Sequence, residues 1–176
     1  MTTREQLKAD EERVIAELLR DPRQEIGRIA EKCGMSKQKV WRIMRSLEGE
    51  GAIMSRPASL NPKKMGKRSF LILFERSFKT LDDSFLSQMT LHEFKKEIAA
   101  EDIKAVVEES YYINGVYDWA FILTVEEHRD LIRFMELWRK HYGEYFSKVI
   151  QSEITYVLIR NSVLNPNLSE IRDLVK

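Results

Sequence analysis

Three side chains spaced three and four residues apart, Gln38, Arg42 and Arg45, offer the most specific chemistry in this sequence. A glutamine amide can pair with an adenine edge in the DNA major groove, and an arginine guanidinium with a guanine edge. At about 100° per residue the three fall on one side of a helix, while Val40, Ile43, Met44 and Leu47 fall on the other. Ser36 stands where an N-cap belongs, and Lys37 and Lys39 flank the helix start, where ammonium groups can meet phosphates. No acidic residue occurs between Met35 and Leu47, a feature that a plain solvated face does not explain. Arg56 is a further candidate, following a short strand from which it would reach the backbone or minor groove as a wing. Lys63, Lys64, Lys67 and Arg68 add positive field, which would steepen salt dependence without adding sequence preference.

Such a stripe needs a folded support, and the composition supplies one. The 176 residues are 43% apolar and 32% charged, which excludes wholesale disorder and suits one ordinary domain or two small ones. The formal net charge of +1 conceals a division. Residues 21–68 carry 12 basic and 5 acidic side chains, a net +7, whereas residues 69–176 carry 13 and 18, a net −5. A polyanion-binding module joined to one that avoids polyanions fits this division. No apolar run reaches the roughly 18 residues of a membrane span, and Met1–Asp10 is polar, so a cytoplasmic protein is expected. The single cysteine, Cys33, excludes disulfide frameworks and cysteine-rich metal sites and reads as core filler.

The apolar spacing predicts a first helix over Thr3–Arg20, stopped by Asp21-Pro22, and a second over residues 24–33 with Gly34 at its end. The Gln-Arg-Arg stripe lies on a third, Lys37–Glu50. A short strand is expected at Ala52–Arg56 and a linker at 57–68, rich in proline and lysine. Beyond it the period changes. Ser69–Arg76 reads as a strand and Leu81–Ala100 as helical, with a break near Thr90. Lys104–Ile113 and Val116–Val125 read as strands joined by the hairpin signal Asn114-Gly115. A helix over Glu126–Tyr142, a strand over Val149–Ile159 and an extension with a short helix at Ser169–Val175 complete the pass.

The order β-α-β-β-α-β predicts an α+β protein: a winged helix-turn-helix followed by a ferredoxin-like, four-stranded antiparallel sheet with helices on one face. The domains expected are 1–56, the linker 57–68, the sheet domain 69–160 and an extension 161–176. Phe70, Ile72 and Phe74 would occupy one face of the sheet with Trp119, Phe121 and Leu123. Leu71 and Leu73 would occupy the other with Ala120 and Ile122, and the last strand would set Ile154, Tyr156 and Leu158 against Val157 and Ile159, so that both faces are apolar. Helices cover one face only, so the other needs a partner, either a second copy of the chain or the extension folding back.

Residues 21–53 (DPRQEIGRIAEKCGMSKQKVWRIMRSLEGEGAI) and 111–125 (YYINGVYDWAFILTV) resemble the Lrp/AsnC family of prokaryotic transcription regulators, archaeal members in particular. The resemblance rests on Gly34-Met35-Ser36, Val40, Arg45, Leu47-Glu48 and Gly51-x-Ile53, and on Gly115, Tyr117 and Asp118 in the pattern Gly-x-Tyr-Asp. It implies a DNA-binding regulator with a C-terminal effector domain, called RAM. Such proteins form homodimers through their RAM sheets and assemble further into tetramers or octamers. Many bind an amino acid between RAM domains. By motif match the pocket wall would be the turn holding Asn114, Gly115, Tyr117 and Asp118. The structural alternative, Gly115 for a tight turn and Asp118 for a local hydrogen bond, stays open. The region 80–100 is longer than the family's usual first RAM helix, and the tail past Pro166 extends beyond many members.

Enzyme readings find little support. His92, His128 and His141 lie far apart in the sequence, and no HExxH, GxSxG, GxGxxG or P-loop spacing occurs, so no cofactor and no metal are expected. Siroheme decarboxylases share the architecture, but the histidine this resemblance would imply before the third strand is absent from Tyr111-Tyr112-Ile113-Asn114. A ligand-sensing protein that has ceased to read DNA is the remaining alternative, and the Gln38, Arg42, Arg45 stripe argues against it.

Overall fold

The apolar stripe of the first segment forms α1, Thr3–Arg20, which buries Val14 against α2, Ile26–Cys33, and α3, Lys37–Gly49. The computed structural model describes residues 3–54, 60–90, 93–161 and 163–175. Gly34 ends α2 with φ +64°, a left-handed conformation that costs an L side chain roughly 1–2 kcal/mol, and the Met35 N–H returns to the Ala30 carbonyl. Ser36 then caps α3, its Oγ accepting from the Lys39 N–H at 3.2 Å. Val40, Ile43, Met44 and Leu47 close the core with Ile29, Ala30 and a buried Cys33, as the spacing predicts.

The expected strand Ala52–Arg56 is absent over its described part. Gly51, with φ +75°, starts a turn through 52–54 in which the Ile53 N–H donates to the Leu47 carbonyl and Ile53 packs on the helical core. Helix closure has therefore claimed the backbone that a strand would have used. Ser55 and Arg56 lie outside the described residues.

β1, Arg68–Arg76, begins the second unit. α4, Asp83–Thr90, and α5, Glu93–Ala100, follow, and the break expected near Thr90 lies at residues 91–92, outside the described residues. β2, Ala105–Tyr112, β3, Trp119–Val125, α6, His128–Tyr142, and β4, Phe146–Ile154, complete an antiparallel sheet of order β2-β3-β1-β4. This is the ferredoxin-like arrangement. Phe70 pairs with Leu123 and Ile72 with Phe121, and these side chains meet Phe134, Trp138 and Tyr142 of α6. Each such fully buried side chain contributes about 1.5–3 kcal/mol. Glu127 and Asp130 form a capping box that starts α6 two residues later than the apolar pattern suggested.

Three boundaries differ from the sequence reading. The Asn114-Gly115 dipeptide does not make a two-residue hairpin: Tyr112 pairs with Trp119, leaving a six-residue loop 113–118. Asp118 holds it open, because its N–H donates to the Phe74 carbonyl at 2.9 Å and its carboxylate accepts from the Arg76 N–H at 2.7 Å. β4 ends at Ile154, and Tyr156 and Leu158 lie in no strand. Its helix-side positions Gln151 and Glu153 are polar and exposed at the sheet edge, so β4 is not apolar on both faces as expected. The tail instead forms a hairpin of β5, Ile159–Arg160, and β6, Val163–Leu164, followed by a 3-10 helix over Leu168–Asp173, where a short helix over Ser169–Val175 is expected.

The chain sorts into two compact units, Met1–Leu60 with Leu158–Lys176, and Asn61–Val157. The extension is grouped with the helical unit. Leu71, Leu73, Ile122, Ile150 and Ile154 share the sheet face opposite the helices and are half-buried. No helix among the described residues is long and apolar enough to cross a membrane.

Candidate nucleic-acid interface

The second helix of the pair, α3, presents Gln38, Arg42 and Arg45 to solvent, with Lys37 and Ser36 exposed at its start. Because the opposite stripe is locked in the core, the outward direction of these side chains is fixed by packing. Ser36 has a structural task as the cap. The Lys37 side chain runs along α2, its Cε about 3.1 Å from where a Cβ on Gly27 would stand.

Lys39 points elsewhere. Its ammonium donates to the carboxylate of Asp10 on α1, whose side chain is buried. Arg13 donates to the same carboxylate at 2.9 Å and to the Cys33 carbonyl at 3.2 Å, so Asp10 and Arg13 together tie α1 to the two helices on either side of the turn. The Lys39 hydrogen bond is the main cause that holds the Asp10 carboxyl below its ordinary value near 3.8. A parallel knot joins Glu17, Lys32 and the buried Gln24: Lys32 donates to Glu17 at 2.8 Å and to the Gln24 side-chain oxygen at 2.6 Å.

Trp41 escaped the sequence reading. The residue is 48% exposed, on the solvent side of α3 next to Arg45, whose guanidinium lies 5.5 Å from the indole centroid. The angular arithmetic that groups Gln38 with Arg45 places Trp41 in the same arc, but a search confined to polar side chains passes over it.

At the second predicted site, Asn114 and Gly115 are exposed and Tyr117 and Asp118 half-buried. Asp118 is engaged with β1 as described. Gly115 has no positive φ and open space around its Cα, so the turn does not require glycine there. Nearby, Nη1 of Arg76 donates to the Tyr112 hydroxyl at 3.3 Å, whereas its buried Nε has no hydrogen-bond partner among the described residues. Beneath the helices, Phe85, Phe94, Trp119, Phe134 and Trp138 help line an aromatic hollow with about 430 Å³ of empty volume, part of it open to solvent.

No group of three or more His, Cys, Asp or Glu side chains among the described residues is placed to hold a metal. His141 bonds Glu97 at 2.8 Å, His128 stands 6.3 Å from the Phe70 ring, and His92 lies outside the described residues.

A family model described as winged helix-turn-helix DNA-binding matches residues 11–54. No curated protein matches the sequence. Among solved structures, an AsnC family transcriptional regulator from Agrobacterium tumefaciens is 19% identical, with 90% of this chain and 97% of that one covered at TM-score 0.55. The leucine response regulatory protein of Mycobacterium tuberculosis is also 19% identical, covering 89% and 98% at TM-score 0.62. A transcriptional regulator from Neisseria meningitidis, solved with L-Met, is 13% identical, covering 91% and 97% at TM-score 0.57. The fold is that of Lrp/AsnC-type regulators along nearly the whole chain.

Proposed function

We propose that the chain is a sequence-specific DNA-binding transcriptional regulator of the Lrp/AsnC type, acting in the cytoplasm and nearest in motif to the family's archaeal members. The observation that carries this reading is the exposed Gln38, Arg42, Arg45 stripe on a helix whose other edge is fully buried. The matched helix-turn-helix model supports it. α3 enters the major groove, Gln38 meets an adenine edge and Arg42 and Arg45 meet guanine edges. Lys37 contacts phosphate, Ser36 adds its backbone N–H at the helix start, and Arg56 supplies a further cation beyond α3. Lys39 contributes by fixing α3 on α1, since its ammonium is held by Asp10.

The sheet face bearing Leu71, Leu73 and Ile122 pairs with a second copy of the chain, which spaces two reading helices on successive half-sites. Further assembly to tetramers or octamers builds on that dimer. A small metabolite such as an amino acid binds at the turn of Asn114, Gly115, Tyr117 and Asp118.

Selection from a random duplex library tests the reading. The expected product is a pair of half-sites about one helical turn, or a multiple of it, apart. A library that returns no consensus overturns it. Ile122→Glu should halve the mass seen in light scattering without unfolding the monomer, and an unchanged mass would remove the sheet from the interface.

A further inference from the structure

Trp41 has no part in the function proposed above, yet it borders the reading face beside Arg45. The residue is 48% exposed, three residues after Gln38 and four before Arg45, so the three side chains adjoin on one helical surface. Arg45 is restrained: its guanidinium stands 5.5 Å from the indole centroid, and its Nη1 lies 3.9 Å from a Glu48 carboxylate oxygen. A planar cation positioned by a ring and a carboxylate gives up less freedom when it docks on a guanine edge.

We propose that Trp41 reads thymine: its ring meets the C5 methyl group in the major groove and positions Arg45 for the guanine of a neighbouring base pair. The inference rests on α3 entering that groove. Among the groups that base pairs display there, the thymine methyl is the apolar one, and an exposed indole gains by desolvating against it. Phosphates offer the ring nothing comparable. The spacing fits as well, since four residues advance about 6 Å along a helix and one base step about 3.4 Å. Trp41 and Arg45 therefore reach adjacent or next-adjacent steps.

The test uses the full chain and the duplex recovered from the library selection. Each thymine is replaced in turn by deoxyuridine, which removes the methyl group and keeps the pairing. Wild-type protein should lose about fourfold in affinity at one thymine per half-site, the value of one buried methyl group. W41A should bind more weakly, ignore that replacement, and discriminate less at the adjacent guanine. W41F should retain part of the methyl preference. The same deoxyuridine penalty in W41A as in wild type would overturn the proposal, because another side chain would then read the methyl. So would equal wild-type affinity for every deoxyuridine duplex, in which case a recovered consensus leaves DNA reading standing. Should W41A not fold, W41Q, which keeps a long side chain without the ring, takes its place with the same two outcomes.

Discussion

On α3, Gln38, Arg42 and Arg45 stand in solvent, held there by a buried stripe behind them. At the loop after β2, the Asp118 carboxylate already accepts the Arg76 N–H, and its own N–H completes the edge of β1. Both regions carry residues that a family motif singles out, yet only the first leaves its polar groups aimed outward. A side chain whose hydrogen bonds close the fold is a poor first candidate for a ligand contact. Lys39 makes the same point within the reading helix, since Asp10 engages its ammonium while its neighbours remain exposed.

The strongest expected contrast lies between two substitutions. Arg42→Ala should weaken operator binding by roughly 1–3 kcal/mol and relax preference at one base position, with the melting temperature almost unchanged. Fluorescence-anisotropy titrations and thermal melts measure both. Asp118→Ala should do the opposite, lowering stability by about 1–3 kcal/mol because the Arg76 N–H loses its acceptor, with DNA affinity per folded protein retained. Unchanged melting together with lost metabolite binding would make the loop a ligand site rather than a brace.

Acid tests the Lys39 knot. The Asp10 carboxyl titrates below its ordinary value near 3.8, so the knot's contribution to stability is full above that value and is lost as pH falls through the lower folded-state value. Thermal melts followed by circular dichroism should therefore show wild type losing its advantage over Asp10→Asn below about pH 4 and keeping it between pH 5 and 8. A constant difference across the range would mean that Asp10 acts by packing alone.

The smallest effects separate two glycines. Gly34→Ala should cost roughly 1–2 kcal/mol, because φ +64° at the helix-turn-helix corner is strained for any side chain. Gly115→Ala should stay within about 0.5 kcal/mol, since its φ is ordinary and nothing stands within 4 Å of the new methyl group. A large loss at Gly115 in metabolite binding alone would return that position to the candidate pocket.

Residue patterns three and four apart set α1, α3 and the two edges of α3, and alternation set the inward faces of β1 and β3. These features depend on neighbours within one helical turn or one strand, so reading along the chain reaches them. The engagement of Lys39 by Asp10 joins residues 29 apart, and that of Asp118 by Arg76 joins residues 42 apart. No local pattern announces such partners. The end of β4 at Ile154, the tail hairpin and the six-residue loop likewise came from which backbone groups found acceptors elsewhere in the fold. Local periodicity determined which surface the reading helix turns outward. Tertiary contacts decided which of its cations remain exposed, because a buried carboxylate such as that of Asp10 draws a cation to itself.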